Sequence, residues 1–240
     1  MITPYLKGFN YTWRGLSMLR KKGIRRYVLI PLTINITLFT GLIYLLVQQF
    51  SALIDRLLPD WLDWLSWLLW PLLAIAIAIA VFYSFTIIAN LISAPFNSLL
   101  AAKVEKMLSG HEPQGSNIPL PATISRTITA ELRKLAYMVK WLIPLLIITI
   151  IPGLNVIAGP LWILFGAWML ALEYMDYPMG NYDLFFPQIR QRAHKNRPLA
   201  LGFGSGVMLM TSIPVLNFLA MPTAVIAATL MWVNELRGES

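Results

Sequence analysis

Cysteine is absent from this sequence, which removes disulfides, thiol nucleophiles and thiolate metal sites together and leaves the redox compartment open. Histidine is scarce as well. His111 and His194 are its two examples, and both fall in apparent loops, where a surface imidazole is the ordinary role. Charge is the third scarcity: 12 % of the residues are Asp, Glu, Lys or Arg, against roughly 25 % in an ordinary soluble domain. No Gly-x-x-x-x-Gly-Lys-Ser/Thr loop occurs, so no built-in ATPase is expected, and no His-Glu-x-x-His pattern offers a metal site. Gly202-Phe203-Gly204-Ser205-Gly206 lies in an apolar stretch rather than behind a strand, so it is no dinucleotide loop. The chain reads as a non-enzyme with neither cofactor nor metal.

Hydrophobic side chains, by contrast, make up 58 % of the sequence, more than a soluble fold of this length can hide. Four stretches carry no charged residue at all: 27–54, 64–102, 141–172 and 198–234. Each exceeds the roughly 18 to 20 apolar residues that a ~30 Å hydrocarbon core asks of one helix. An integral membrane protein follows. The first stretch also runs well past the roughly 7 to 15 residues of a cleaved signal core, with no Ala-x-Ala site to end it, and is expected to stay in the bilayer.

The net charge of +8 is placed as a topology signal, and no nucleic-acid partner is expected. Residues 1–26 hold seven bases and no acid, which puts the N-terminus in the cytoplasm under the positive-inside rule. The 55–63 segment holds three acids and one base, as a periplasmic turn would, with Asp60 a candidate helix cap. Trp61, Trp64, Trp67 and Trp70 then place indoles near the headgroups. Residues 74–80 alternate Ala and Ile with a strand's period, yet a lone strand in lipid leaves its backbone unsatisfied, so helix is expected. Continued to about Leu108, this helix measures about 65 Å, so its last third projects into the cytoplasm, with a bend at Pro95.

Residues 103–140 hold six bases and three acids, with loop residues at 110–121 and a helix expected over 124–137. Residues 173–197 hold four bases and three acids, and Tyr177-Pro178-Met179-Gly180-Asn181 reads as a turn. Both regions are expected on the cytoplasmic side. The 32 residues of 141–172 are then too few for two full spans and a turn, which need more than about 40. They are also broken by Pro152-Gly153-Leu154-Asn155, so a re-entrant helical hairpin fits best.

The fourth stretch repeats this pattern. Residues 149–160 align without a gap on 211–222 at an offset of 62, sharing Thr-x-Ile-Pro-x-Leu-Asn-x-x-Ala-x-Pro, and Glu173 corresponds to Glu235. The fold class is therefore all-α: one membrane domain over 1–240, with transmembrane helices at 27–54 and 61–108, the second extending into the cytoplasm. A cytoplasmic loop and helix at 109–140, a re-entrant hairpin at 141–172, a cytoplasmic segment at 173–197 and a second re-entrant hairpin at 198–234 complete it.

Irregular backbone at membrane depth is tolerated only inside protein or beside water, and paired broken segments point to a transporter's path. Asn155 and Asn217 occupy equivalent tip positions, while Asn35 and Asn90 lie in the two long helices. Together they make a candidate neutral constriction that replaces part of an ion's hydration. Capping of half-helices or bonding between helices is the alternative reading. Thr86, Asn90, Ser93 and Asn97 form one polar stripe at helical spacing, facing a pore or a neighbouring helix. Gly202 and Gly206 are assigned to close helix packing.

The basic cluster Arg20-Lys21-Lys22-Gly23-Ile24-Arg25-Arg26 opens the first span. A helix N-terminus disfavours cations unless an anion joins them, and a dianion held by Arg25 and the backbone around Gly23 resolves the conflict. The alternative is an anchor on anionic lipid. Glu105, Arg126, Glu131, Arg133 and Lys134 form a possible charged vestibule or a solvated face. No ionisable residue lies inside the spans, so passage down a gradient is easier to support than pumping.

Gly23-Ile24-Arg25-Arg26-Tyr27-Val28, Asn90-Leu91-Ile92-Ser93-Ala94-Pro95-Phe96-Asn97-Ser98-Leu99-Leu100, Ile151-Pro152-Gly153-Leu154-Asn155, Asp176-Tyr177-Pro178 and Ile213-Pro214-Val215-Leu216-Asn217 together resemble the CysZ sulfate permease family over nearly the whole chain. The resemblance implies sulfate uptake for cysteine biosynthesis across the bacterial inner membrane, two long transmembrane helices, two pairs of half-penetrating helices and a homo-oligomer. It also implies a sulfate-binding motif at Gly23, Ile24, Arg25 and Arg26. Asn35, Asn90, Ser93, Asn97, Asn155 and Asn217 are the expected pore lining; sulfate and membrane lipid are the expected partners. One departure is Ala102, where the family pattern Leu-Leu-Ala-Glu carries an acid; Glu105 remains. The rival function is a non-transporting scaffold or anionic-lipid-binding protein.

Overall fold

The computed structural model describes residues 3–57, 64–111, 113 and 120–238. Among them there is no strand. The helices are α1 (Pro4–Met18), α2 (Arg25–Leu57), α3 (Ser66–Ser109), α4 (Leu120–Ile150), α5 (Asn155–Gly180), α6 (Phe186–Lys195), α7 (Arg197–Ser212) and α8 (Pro214–Met231), followed by a π-helical turn at Trp232–Leu236. The alternating Ala-Ile segment is helical, as expected in lipid. The expected Asp60 cap lies outside the described residues, as do 112 and 114–119 of the expected loop.

Among the described residues, three helices are long and apolar enough to cross a membrane: Arg25–Phe50, Asn155–Gly180 and Pro214–Leu236. The chain divides into two compact units, Met1–Arg25 with Asn97–Ser240, and Arg26–Phe96.

The larger unit is assembled by small residues. In α1, Thr3 caps the helix by accepting a hydrogen bond from the Leu6 N–H at 3.4 Å, and Pro4 fits the first turn, where its missing N–H costs nothing. Gly8, Tyr11, Thr12, Gly15 and Met18 then fall on one buried stripe. That stripe packs on α7 and α8. A Cβ on Gly202 would collide with the Tyr5 carbonyl, one on Gly8 with the Leu199 carbonyl, and one on Gly206 would sit 2.5 Å from Thr12 Oγ1. On the opposite side of α7, Gly204 meets the Ala167 carbonyl of α5. Packing of backbone against backbone is how membrane helices gain van der Waals contact where lipid removes the hydrophobic drive. The assignment of Gly202 and Gly206 to close packing therefore holds. Residues 4–18, by contrast, were read only for their charge, and α1 is an integral part of the core.

The smaller unit holds most of α2 and the first part of α3. Phe50 meets Trp70 edge-on at 5.4 Å, and a cleft of about 360 Å³ lies between Ile43 and Val47 on one side and Trp70, Ala74 and Ile77 on the other. Its α2 residues Leu29, Leu32, Ile36 and Leu45 are all exposed.

Three expectations are corrected. The helix expected over 124–137 runs unbroken from Leu120 to Ile150, so its basic and apolar halves are one rod. Tyr177-Pro178-Met179-Gly180-Asn181 is no turn: α5 continues to Gly180 because Tyr174, Met175, Pro178 and Met179 are buried, and packing overrides the proline. The chain turns just after it, where Asp183 takes φ 55°. His194 lies in α6 beside Arg197, not in a loop.

Candidate functional site: a basic turn, a buried carboxylate and two helix breaks

The turn before α2 sets Gly23, Ile24 and Arg25 at the start of the helix. Gly23 adopts φ +90°, a left-handed conformation that favours glycine, and Ile24 behind it is fully buried. Arg25 opens α2, so its side chain and the free N–H groups of the first turn share one end of the helix. Arg25 Nη2 donates to the Arg20 carbonyl at 3.4 Å, and both residues are exposed. Arg26 Nη2 donates to the Tyr27 hydroxyl at 2.9 Å with its guanidinium over the same ring.

Lys103 is a neighbour that sequence reasoning missed. Its Cε lies 3.9 Å from where a Cβ on Gly23 would sit, with nothing else among the described residues within 4 Å. Lys103 is positioned by the end of α3. Asn97, Leu100, Ala101, Val104 and Glu105 are buried at spacings of 3, 1, 3 and 1, the pattern of one sunken helix face, which leaves Lys103 on its rim. Asn181 Nδ2 donates to the Ser98 carbonyl at 3.0 Å and holds the same segment. The signal was present in Leu-Leu-Ala-Ala-Lys-Val-Glu as a lysine flanked by core positions.

Glu105, expected in a vestibule, has no exposed surface. Its Oε1 accepts from the Tyr182 hydroxyl and pairs with Arg237 Nη1 at 3.0 Å, while Oε2 is buried without a partner among the described residues. Arg237 also stacks over Tyr182, whose hydroxyl is pushed up to about 12, first by burial and then by its bond to the Glu105 carboxylate. Tyr182 in turn packs on Trp232, and Arg192 covers that indole's other neighbourhood at 5.4 Å. Removing a carboxylate from water is costly unless a cation compensates it, and Arg237 supplies that compensation.

Of the remaining charged candidates, Glu131 is exposed with its carboxylate 3.6 Å from Lys134, and Arg133 is exposed on the same helix. The Arg126 side chain lies outside the described residues. Lys134 Nζ also reaches Glu173 at 2.5 Å. Burial alone would lower the lysine's affinity for its proton; the Glu173 carboxylate outweighs it and holds Lys134 above the ordinary lysine range. The repeat partner behaves alike, since Glu235 takes Lys7 Nζ at 2.8 Å and the Tyr11 hydroxyl at 2.7 Å. Thus both acids at the 62-residue offset are neutralised by a lysine from another helix.

The two breaks fall where the repeat places them. α4 ends at Ile150, the chain turns through Gly153 at φ +86°, and α5 starts at Asn155; α7 ends at Ser212 and α8 starts at Pro214. Neither asparagine caps its helix, because the cap positions are Leu154 and Ile213 and neither makes a side-chain cap bond. The capping alternative is therefore overturned. Asn155 and Asn217 are both exposed in the single chain. Beside them stand the most exposed large apolar side chains described: Ile150 and Val156 at 78 %, Val215 at 76 % and Phe218 at 81 %. Asn35 is buried on α2 with its Oδ1 unpartnered among the described residues. Asn97 is buried and Ser93 half-buried on α3, whereas the Asn90 side chain lies outside the described residues.

Comparison with known proteins shows the family. A family model described as "Sulfate transporter CysZ/Etoposide-induced protein 2.4" matches residues 11–222. Proteins named "Sulfate transporter CysZ" are similar over essentially their full length. One from Pseudomonas fluorescens (strain Pf0-1) is 45 % identical over 100 % of this chain and 98 % of its own. Another, from Pectobacterium atrosepticum, is 39 % identical over 97 % of this chain and 86 % of its own. With its family model covering most of the chain, the protein belongs to the sulfate transporter CysZ/etoposide-induced protein 2.4 family.

Proposed function

We propose that this chain is a sulfate permease of the bacterial inner membrane, supplying sulfate for cysteine biosynthesis and acting as a channel without its own ATPase. The observation that carries the reading is the left-handed basic turn at Gly23 that opens α2, in a chain whose full-length relatives are named sulfate transporters. Gly23, Ile24, Arg25 and Arg26 form the capture site: backbone N–H groups at the helix end and a bidentate guanidinium suit a tetrahedral dianion. Lys103 adds a third kind of donor beside Gly23. Beyond capture, Asn35, Asn90, Ser93, Asn97, Asn155 and Asn217 offer neutral amides and a hydroxyl along the path. Arg133, Glu131 and Arg126 border its cytoplasmic mouth.

The accompanying topology has α2 and α3 as full spans, and α4–α5 and α7–α8 as re-entrant pairs whose breaks stop inside the bilayer. Both termini are cytoplasmic, and several copies assemble. Support for buried breaks comes from Ile150, Val156, Val215 and Phe218, because bulky apolar side chains this exposed at a helix break suit hydrocarbon and not water. The absence of native cysteine makes the test direct. Single Val156→Cys and Phe218→Cys variants in sealed membranes are expected to resist a membrane-impermeant maleimide; rapid labelling of either from the periplasmic side rules out the re-entrant arrangement. Transport itself is read as radiolabelled sulfate uptake into proteoliposomes, where the Arg25→Ala, Arg26→Ala double variant should fall at least about tenfold, as expected for losing charge-assisted bonds. Full uptake by that variant removes the capture site, and no uptake by the unaltered protein removes the permease reading.

A further inference from the structure

We propose that the groove between α4 and α6 is a binding site for an anionic glycerophospholipid. Arg133 and Lys140 of α4 and Arg190 of α6 converge on one cavity of about 440 Å³ whose floor is Tyr137 and Phe186. That volume lies within the roughly 300–1,000 Å³ of small-molecule sites. No acid lines the cavity, and none of the three cations forms an ion pair among the described residues. Three other cations of this unit meet an acid from another element: Lys134 with Glu173, Lys7 with Glu235, Arg237 with Glu105. Three cations converging on one hollow with no acid in its lining call for an anion.

The second half of the argument says which anion. Tyr137 also forms the wall of an adjoining cavity of about 380 Å³, lined by Trp141, Leu164, Phe165, Trp168 and Leu201, with His194 and Arg197 as its polar members. This second cavity is chiefly apolar and aromatic. The two meet at Tyr137, which is fixed from several sides: Arg190 stacks over its ring at 5.3 Å, Phe186 packs at 5.6 Å, and Trp168 Nε1 donates to its hydroxyl at 3.0 Å. A free oxyanion would leave the indole-lined surface unused. A phosphodiester with acyl chains uses both, its headgroup among the cations and its chains along the indoles.

Position along α4 agrees. Lys140 is that helix's last charged residue, Trp141 follows, and Ile143, Leu146, Ile147 and Ile150 are exposed beyond it. Base, then indole, then aliphatics is the order met on passing from a cytoplasmic headgroup layer into hydrocarbon. Anionic lipid is concentrated on that face, and each nearby Lys or Arg strengthens its attraction.

The test uses the full chain in detergent micelles doped with phosphatidylglycerol or phosphatidylcholine, with thermal midpoint as the readout of binding. Phosphatidylglycerol is expected to stabilise at a concentration at least about tenfold below that needed for phosphatidylcholine. In an Arg133→Gln, Arg190→Gln variant its apparent affinity should drop about 25-fold, about fivefold for each cation. Both arginines are exposed, and because the variant loses the Arg190 stack on Tyr137, each lipid response is referred to that protein's own lipid-free midpoint. Equal response to the two lipids, or an undiminished phosphatidylglycerol response in the variant, overturns the proposal. So does inorganic phosphate matching phosphatidylglycerol at equal concentration, which would mark a free-ion site.

Discussion

Helices α2 and α8 are both apolar enough to cross a membrane, yet 17 % of the apolar window of the first is buried and 61 % of the second. Hydrophobicity does not separate them; side-chain size does. α2 carries Leu29, Ile30, Leu32, Ile34, Ile36 and Leu38, all exposed. α8 carries Ala220, Thr223, Ala224, Ala227, Ala228 and Thr229, all buried. Since lipid tails solvate a leucine as well as another helix does, bulky side chains gain little from protein contact, whereas small ones allow backbones to approach. In a bilayer, then, small residues mark the protein-facing side.

The sharpest way to break this contrast is to enlarge one of the small residues. Gly202→Ala drives a methyl into the Tyr5 carbonyl, a backbone atom that cannot rotate away, and should cost about 3 kcal/mol or more. Loss of a monodisperse, cooperatively melting protein in detergent is the expected readout, and an unchanged melt would show that α1 can retreat freely. Ile226→Ala, at a fully buried site of α8, should cost about 2–4 kcal/mol by leaving a cavity. Its counterpart Ile36→Ala, on α2 with 58 % of the side chain exposed, should change stability by less than about 1 kcal/mol. Gly41→Ala is the matching control for Gly202, because nothing lies within 4 Å of its place on α2. It should leave the melt unchanged or raise stability by up to about 1 kcal/mol through helix propensity. Equal damage at Gly41 and Gly202 would erase the distinction between the two helices.

Much of the architecture was legible because lipid narrows the options. Charge-free stretches had to be helices, and the repeated Pro-x-Leu-Asn pattern located both breaks to within two residues. Gly23 drew attention for a local reason, since the glycine and its basic neighbours stand in consecutive residues, whereas its positive φ emerged only from the structure. Relations across the chain were not legible. That α1 is a core helix rests on Gly8 and Gly15 meeting α7 and α8, and no pattern within residues 4–18 names those partners. Glu105 looked like a surface acid because Tyr182 and Arg237, which neutralise it, lie 77 and 132 residues away. Pro178 suggested a turn because local propensity knows nothing of the packing around Met175 and Met179. Lys103 was missed for the same cause: its interest comes from Gly23, far behind it in sequence.

The pairing of α1 with α7 and α8 has a consequence for how the protein is made. Residues 4–18 leave the ribosome well before the glycine surface that receives them, 197–231. Contacts so distant in sequence close late. Until α7 and α8 emerge, α1 has no seat; its buried stripe must wait at the membrane surface, where Lys7 and Arg14 can rest against anionic headgroups. A chain cut short after α6 would leave that helix stranded, so this core closes only once the α7–α8 pair has arrived.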